Sequence, residues 1–210
     1  MLSVYTKFIS GIIFFLSSVA IAADDPGDVR QRRGDGDPVA GKDKIAICKV
    51  CHGEGGNSTH NYYPKLAGQY GEYLLRQLKD FKSGQRRDPM MSAMVQSAGS
   101  DDDLEDIAAY YSSQDQMKGD KPVLNKAGEA LFKAEVNGCN SCHGEKGKGL
   151  APDNAYAPVI GGQNKDYLVR QLKNFRNGAR YNDAAGMMRM VSENMTDEDI
   201  ENVAAYISGF

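Results

Sequence analysis

Apolar residues along this chain keep a helical beat and lose it at matching stops. Residues 71–83 place Leu74, Leu75, Leu78 and Phe81 on one face, and residues 165–177 repeat the pattern with Leu168, Val169, Leu172 and Phe175. Gly84 and Gly178 follow as C-terminal stops. A later helix places Leu104, Ile107, Ala108 and Tyr111 at i, i+3, i+4 and i+7, and its counterpart does the same with Ile200, Val203, Ala204 and Ile207. Thr196 followed by three acidic residues opens the second of these with an N-cap hydroxyl and first-turn charge, and Ser100 to Asp103 does so in the first. Leading helices are expected over residues 39–48 and 124–136. No stretch alternates with period two, so the expected fold is all-α.

These matches make the chain a duplication. Tyr73 to Gly84 aligns with Tyr167 to Gly178, with eight of twelve positions identical. Ala40-Gly41 answers Ala127-Gly128, Pro64 to Gln69 answers Pro158 to Gln163, and Ala108-Ala109-Tyr110 answers Ala204-Ala205-Tyr206. The boundary is expected within Gln116–Lys121, where Gln, Lys, Gly, Asp and Pro cluster, giving domains over 38–117 and 118–210. Each half is small for a self-sufficient apolar core, so something beyond side chains is expected to help fill it.

The first residues belong to neither half. Lys7, the apolar run Phe8 to Leu16 and the small-residue exit at Ala22 read as a signal peptide over 1–22. Residues 23–37 carry turn chemistry without apolar periodicity and read as a flexible leader. Export implies a periplasmic location. The 210 residues carry 25 basic and 28 acidic side chains, a net charge of −3, which gives no sign of a nucleic-acid partner. The four cysteines are too few for a disulfide scaffold.

Their arrangement is informative. Cys48-Lys49-Val50-Cys51-His52 and Cys139-Asn140-Ser141-Cys142-His143 are two C-x-x-C-H signatures of covalent haem c attachment. Two thiols three residues apart can add to the two vinyl groups of one porphyrin, and the next residue offers its imidazole to the iron. A thioredoxin-type pair needs a preceding strand, and a zinc site would leave both histidines unexplained. Two covalent haem c groups are therefore expected, held by Cys48, Cys51, Cys139 and Cys142, with His52 and His143 as axial ligands.

The sixth ligand is expected to be methionine, because His60 is the one histidine left for two irons. Met90, Met91 and Met94 lie between the long and closing helices of the first half, and Met187, Met188 and Met190 lie there in the second. Counting back from Asp103 and Asp199, with one inserted residue in Gln96–Ser100, pairs Met91 with Met188. The other four remain alternates, and a methionine at helical spacing is also ordinary core filler. Pro64 and Pro158, a short distance after each histidine, offer carbonyls that can hold the imidazole N–H. Arg86, Arg180, Arg76 and Arg170 are candidates to neutralise haem propionates or to lie on a solvated surface. His60, beside two tyrosines in a polar loop, is expected to be exposed.

From Val39 to Phe210 the chain resembles the dihaem cytochrome c4 family of class I cytochromes c. The resemblance rests on Cys48–Gly56, Cys139–Gly147, Pro64-Lys-Leu-Ala-Gly-Gln69, Tyr73-Leu-Leu-Arg-Gln-Leu78 and Asp103 to Tyr111. It implies two tandem class I cytochrome c domains related by a pseudo-twofold, with His/Met ligation and haem propionate edges meeting near the interface. It also implies electron transfer in the bacterial periplasm from a quinol-oxidising complex towards a haem–copper oxidase, with loose membrane association, as a monomer without substrate chemistry of its own. The leader is longer than the family pattern, and the extra residue near Gln96–Ser100 makes Met91 a less direct match than Met188. Two other functions compete: the dihaem subunit of a flavocytochrome c sulfide dehydrogenase, and a dihaem peroxidase, which needs an open iron.

Overall fold

A computed structural model describes residues 35–136, 138–150 and 156–210. The signal segment and nearly all of the leader lie outside the described residues. The first half holds α1 (Pro38–Lys44), α2 (Lys49–His52), α3 (Gly71–Ser83), α4 (Pro89–Gln96) and α5 (Asp101–Ser112). The second holds α6 (Lys126–Phe132), α7 (Asn140–His143), α8 (Lys165–Arg176), α9 (Met187–Ser192) and α10 (Asp197–Ser208). No strand occurs among the described residues.

Each half is built on the same crossing. The leading helix packs across the closing helix, α1 on α5 and α6 on α10, and the long helix packs on the closing helix from another side. Gly41 and Gly128 sit at the two crossings. A Cβ at either would overlap a facing backbone carbonyl, that of Asp106 or Asn202. This close approach explains why an Ala-Gly pair recurs in both halves. Leu74, Phe81, Leu104, Ile107 and Tyr111 bury together in the first core. Phe132, Leu168, Val203, Ala204 and Ile207 do so in the second. Full burial of such an aliphatic or Phe side chain contributes about 1.5–3 kcal/mol.

The closing helices start as their sequences direct. The Ser100 hydroxyl accepts from the Asp103 N–H and the Asp103 carboxylate accepts from the Ser100 N–H; Thr196 and Asp199 repeat this capping box. The leading helices are shorter than expected, ending at Lys44 and Phe132. After Lys44 the chain turns to bury Ile45 and begins a separate helical turn at Cys48. The end of the leader also differs from a flexible segment. The Asp37 side chain caps α1, and its N–H donates to the Asp106 carboxylate at 2.7 Å.

The halves meet through polar side chains that read the partner's backbone. Gln69 Nε2 donates to the Val159 carbonyl at 2.8 Å, and its Oε1 accepts from the Val159 N–H at 2.9 Å. Gln163 treats Lys65 in the same way, at 2.9 and 2.7 Å. Asn164 Nδ2 reaches the carbonyls of Ser58, His60 and Tyr63, while the Tyr70 hydroxyl reaches that of Leu150. The connection between halves is clamped: Lys65 Nζ donates to the Lys118 carbonyl, Lys148 Nζ donates to that of Met117, and the Met117 side chain is buried.

Candidate functional site

The cysteine pairs lie on two short helical turns. Cys48 and Cys139 stand at the N-caps of α2 and α7, and the turns carry Cys51 with His52 and Cys142 with His143. All four thiols are free. Burial pushes the Cys48 thiol up, and pushes Cys139 up to about 11. Each turn ends on a glycine, Gly53 or Gly144, at φ 79°, a value that L side chains avoid.

Both histidines are buried and held alike. His52 Nδ1 lies 2.9 Å from the Pro64 carbonyl oxygen, and His143 Nδ1 lies 2.7 Å from that of Pro158. A carbonyl only accepts, so Nδ1 carries the proton in each ring. Nε2 is then left with its lone pair free. Desolvation lowers the pKa of both imidazoles, against the raising effect of the proline carbonyls, which keeps them neutral and fit to ligate. The proline loops are themselves pinned. Leu66 and Ala67 N–H donate to the Gly56 carbonyl, and Ile160 and Gly161 N–H donate to that of Gly147.

These residues line one continuous cavity of about 780 Å³ that spans both halves. Cys48, Cys51, His52, Cys139, Cys142 and His143 all face it, with Leu74, Phe81, Leu168 and Phe175 among its apolar walls. Met90, Met91, Met94, Met187, Met188 and Met190 all line it; Met91 and Met188 are partly buried, whereas Met90, Met187 and Met190 are exposed. Met94 is partly buried too. Aligning Met91 with Met188 sets the buried Val95 against the buried Ser192, and Met94 against Val191, which has no sulfur.

Two guanidiniums meet at the seam between the halves. Arg86 donates to Gln77 of its own half and to the Tyr167 hydroxyl and Gln171 of the other, at 2.8–3.0 Å. Arg180 mirrors it, donating to Gln171, to the Tyr73 hydroxyl and to Gln77, at 2.9–3.1 Å. Both are buried, line the cavity and rest over phenylalanine rings, Phe81 and Phe175. Neither is hydrogen-bonded to a carboxylate among the described residues. The solvated-surface alternative for this pair is thereby excluded. Arg76 and Arg170 differ: they stack on Tyr156 and Tyr62 of the opposite half, at 5.1 and 3.7 Å from the ring centroids. His60 is exposed, as expected. Gln69, Gln163, Gln77 and Gln171 show in the sequence only as identities between the halves at polar positions, and their role across the seam follows from the structure.

Haem c fits this site on several independent counts. Each half presents two free thiols and a neutral imidazole to an apolar space, and two buried cations, neither hydrogen-bonded to a carboxylate among the described residues, face that space where an acidic group entering it would meet them. Among the described residues no three His, Cys, Asp or Glu side chains converge as a metal site of their own.

The comparisons agree with this geometry. The family model for cytochrome c matches twice, over residues 39–115 and 125–209. Cytochrome c4 of Stutzerimonas stutzeri is 43% identical over 190 residues, covering 83% of this chain and 89% of that one. Cytochrome c4 of Pseudomonas aeruginosa is 41% identical over 181 residues, with the same coverage, 83% and 89%. The crystal structure of reduced recombinant cytochrome c4 from Pseudomonas stutzeri superposes with a TM-score of 0.76 at 41% identity, covering 83% of this chain and 99% of that one. With two class I cytochrome c domains in tandem and a seat for haem c in each, the chain belongs to the cytochrome c4 family, the dihaem c-type cytochromes that carry electrons.

Proposed function

We propose that Cys48 and Cys51 hold one haem through thioether bonds and Cys139 and Cys142 the other, with His52/Met91 and His143/Met188 as axial ligands. The observation that carries this reading is the matched pair of buried histidines, each donating Nδ1–H to a proline carbonyl while lining one apolar cavity. Haem bound there would supply one-electron exchange between ferric and ferrous iron. Pro64 and Pro158 fix the tautomer and orientation of the imidazoles. Methionine sulfur and apolar walls favour the ferrous form and raise the potential. Arg86 and Arg180 balance the propionates of both haems from the seam. The cavity is lined by residues of both halves, which supports passage of the electron from one half to the other.

The domains run over 38–117 and 118–210, following a signal peptide that sends the chain to the periplasm. No helix among the described residues is long and apolar enough to cross a membrane. The protein works as a monomer, accepting electrons from a quinol-oxidising complex and delivering them towards a haem–copper oxidase, with loose membrane association. Pyridine haemochrome analysis of the purified full chain is expected to give two haem c per polypeptide; one or none overturns the assignment. Co-purification of a stoichiometric flavoprotein would overturn the carrier role in favour of a flavocytochrome subunit.

A further inference from the structure

The segments that carry the two candidate axial methionines are anchored differently. In the first half Asp88 stays with its own helix. Its carboxylate accepts from the N–H groups of Met90 and Met91, both at 3.1 Å, and Pro89 opens α4 directly. The matching residue of the second half is Asn182, and its side chain turns to the other half. Asn182 Nδ2 donates to the Asp80 carboxylate at 2.6 Å and to Gln77 Oε1 at 2.9 Å, while its Oδ1 accepts from Arg180 Nε at 3.0 Å. A guanidinium only donates and a carboxylate only accepts, so the amide can face just one way. Asn174 stands at the place of Asp80, and among the described residues it has no such bond to Asp88.

The chain after Asn182 is less regular than the chain after Asp88. A single 3-10 turn precedes α9, with Ala185 at φ 51° and Gly186 at φ 73°, both in the left-handed region. A non-glycine residue there is strained and persists only where its surroundings hold it. Helix α9 itself has six residues, and no side chain of its N-cap residue, Gly186, caps it. The Asp183 carboxylate ties the turn to α9, accepting from the Arg189 N–H at 3.0 Å and from its Nε at 2.9 Å. Asn182 fixes where that turn begins, and its anchor is a carboxylate of the first half.

We infer that Asp80, a residue of the first half, positions the axial methionine of the second haem: through Asn182 it fixes the turn from which α9 presents Met188, and the first haem has no reciprocal tie. The inference rests on Met188 as sixth ligand. Asp80 does not line the cavity, and it acts through Asn182 as a positioning residue. A thioether is a neutral, weak ligand. The fraction of time its helix spends in register therefore decides how readily an outside ligand takes its place.

The test is displacement of the near-infrared methionine–iron band by added imidazole in the oxidised dihaem protein. In a Met91→His protein the remaining band reports the second haem alone. Adding Asp80→Ala there should lower the imidazole concentration that removes half of the band about tenfold, the worth of one hydrogen bond to a charged group. Asp80→Asn keeps an acceptor for Asn182 without the charge and should recover most of the resistance. In a Met188→His protein, whose band reports the first haem, Asp80→Ala should change nothing. Unchanged sensitivity at the second haem overturns the inference. So does an equal gain at both haems, which reports a loosened seam, or an Asp80→Asn protein as sensitive as Asp80→Ala, which reports charge rather than position. Failure of Met188→His to remove half of the band overturns the ligand assignment instead, and so is told apart from failure of the role of Asp80.

Discussion

Gln69 and Val159 face each other across the seam as an amide pair, one a side chain and the other backbone, joined by two hydrogen bonds of 2.8 and 2.9 Å. Gln163 and Lys65 form the mirror image. Gln69→Ala would leave the Val159 N–H and carbonyl unpaired in a buried place, at a cost of about 2–6 kcal/mol for the two groups. Gln163→Ala should behave alike. Thermal unfolding of the dihaem protein followed by circular dichroism should show a lower Tm for each. An unchanged Tm for both variants would mean that water replaces the amide without loss.

Arg86 and Arg180 each donate into both halves, so each should act on both haems. Arg180→Gln removes a buried positive charge that favours the reduced state. Both potentials should fall, by ~1–2 kcal/mol per haem at an effective dielectric of about 20. Arg180→Lys keeps the charge but cannot donate to Gln77 and the Tyr73 hydroxyl with one planar fork, so it should restore the potentials only in part. Spectroelectrochemistry checks this. A shift confined to a single wave would refute the shared role.

Met188→His should lower the potential of the second haem while leaving it covalently attached, because imidazole stabilises ferric iron more than thioether does. The near-infrared methionine–iron band should halve in the oxidised protein. Met187 and Met190 are exposed, and replacing either with leucine should change neither observable. If Met187→Leu removes the band, the alignment of the methionine segments is wrong.

Acid should loosen the first half through its leading helix. Lys44 bridges to Asp103 and Asp106, both at 2.6 Å. Its hydrogen bond, followed by those of the Ser100 cap, holds the Asp103 carboxyl well below the ordinary 3.8, and Lys44 also lowers Asp106. A carboxyl depressed in the folded state is protonated more readily in the unfolded one. Its stabilising contribution is thus complete above pH ~4 and is lost as pH falls further. The second half has Leu131 and Asn202 at the places of Lys44 and Asp106. Lys44→Met should flatten the acid dependence of domain 1 between pH 4 and 2, as read by far-ultraviolet circular dichroism. The same slope in the variant would assign acid lability elsewhere.

Much of the fold was legible because the features that build it are local and repeated. Leu74, Leu78 and Phe81 share a helical face with no help from context, and the Ser100 and Thr196 caps are written within four residues. The two C-x-x-C-H turns and their prolines were equally plain, since each lies within one loop of its partner. What lies between halves was harder to read. Arg86 resembles a surface arginine in sequence, and half of its hydrogen-bonded surroundings come from Tyr167 and Gln171, which lie far away in the chain. The leading helices end short of the expected bounds, the first because the chain breaks at the buried Ile45 to present Cys48. Tyr111 fits the core by its spacing, and nothing in spacing shows that its hydroxyl is buried without a hydrogen-bond partner.

The mirrored clamps of Gln69 and Gln163 have an evolutionary reading. Contacts that come in equivalent pairs are what two identical polypeptides make when they associate face to face about a twofold axis. A single-domain ancestor bearing this glutamine and this arginine would have possessed a self-complementary surface before any duplication. Joining two copies in one chain then replaces a concentration-dependent encounter with an intramolecular one. It also frees each copy to mutate alone. Tyr111 against Ile207, and Lys44 against Leu131, are substitutions that a homodimer would have had to accept twice.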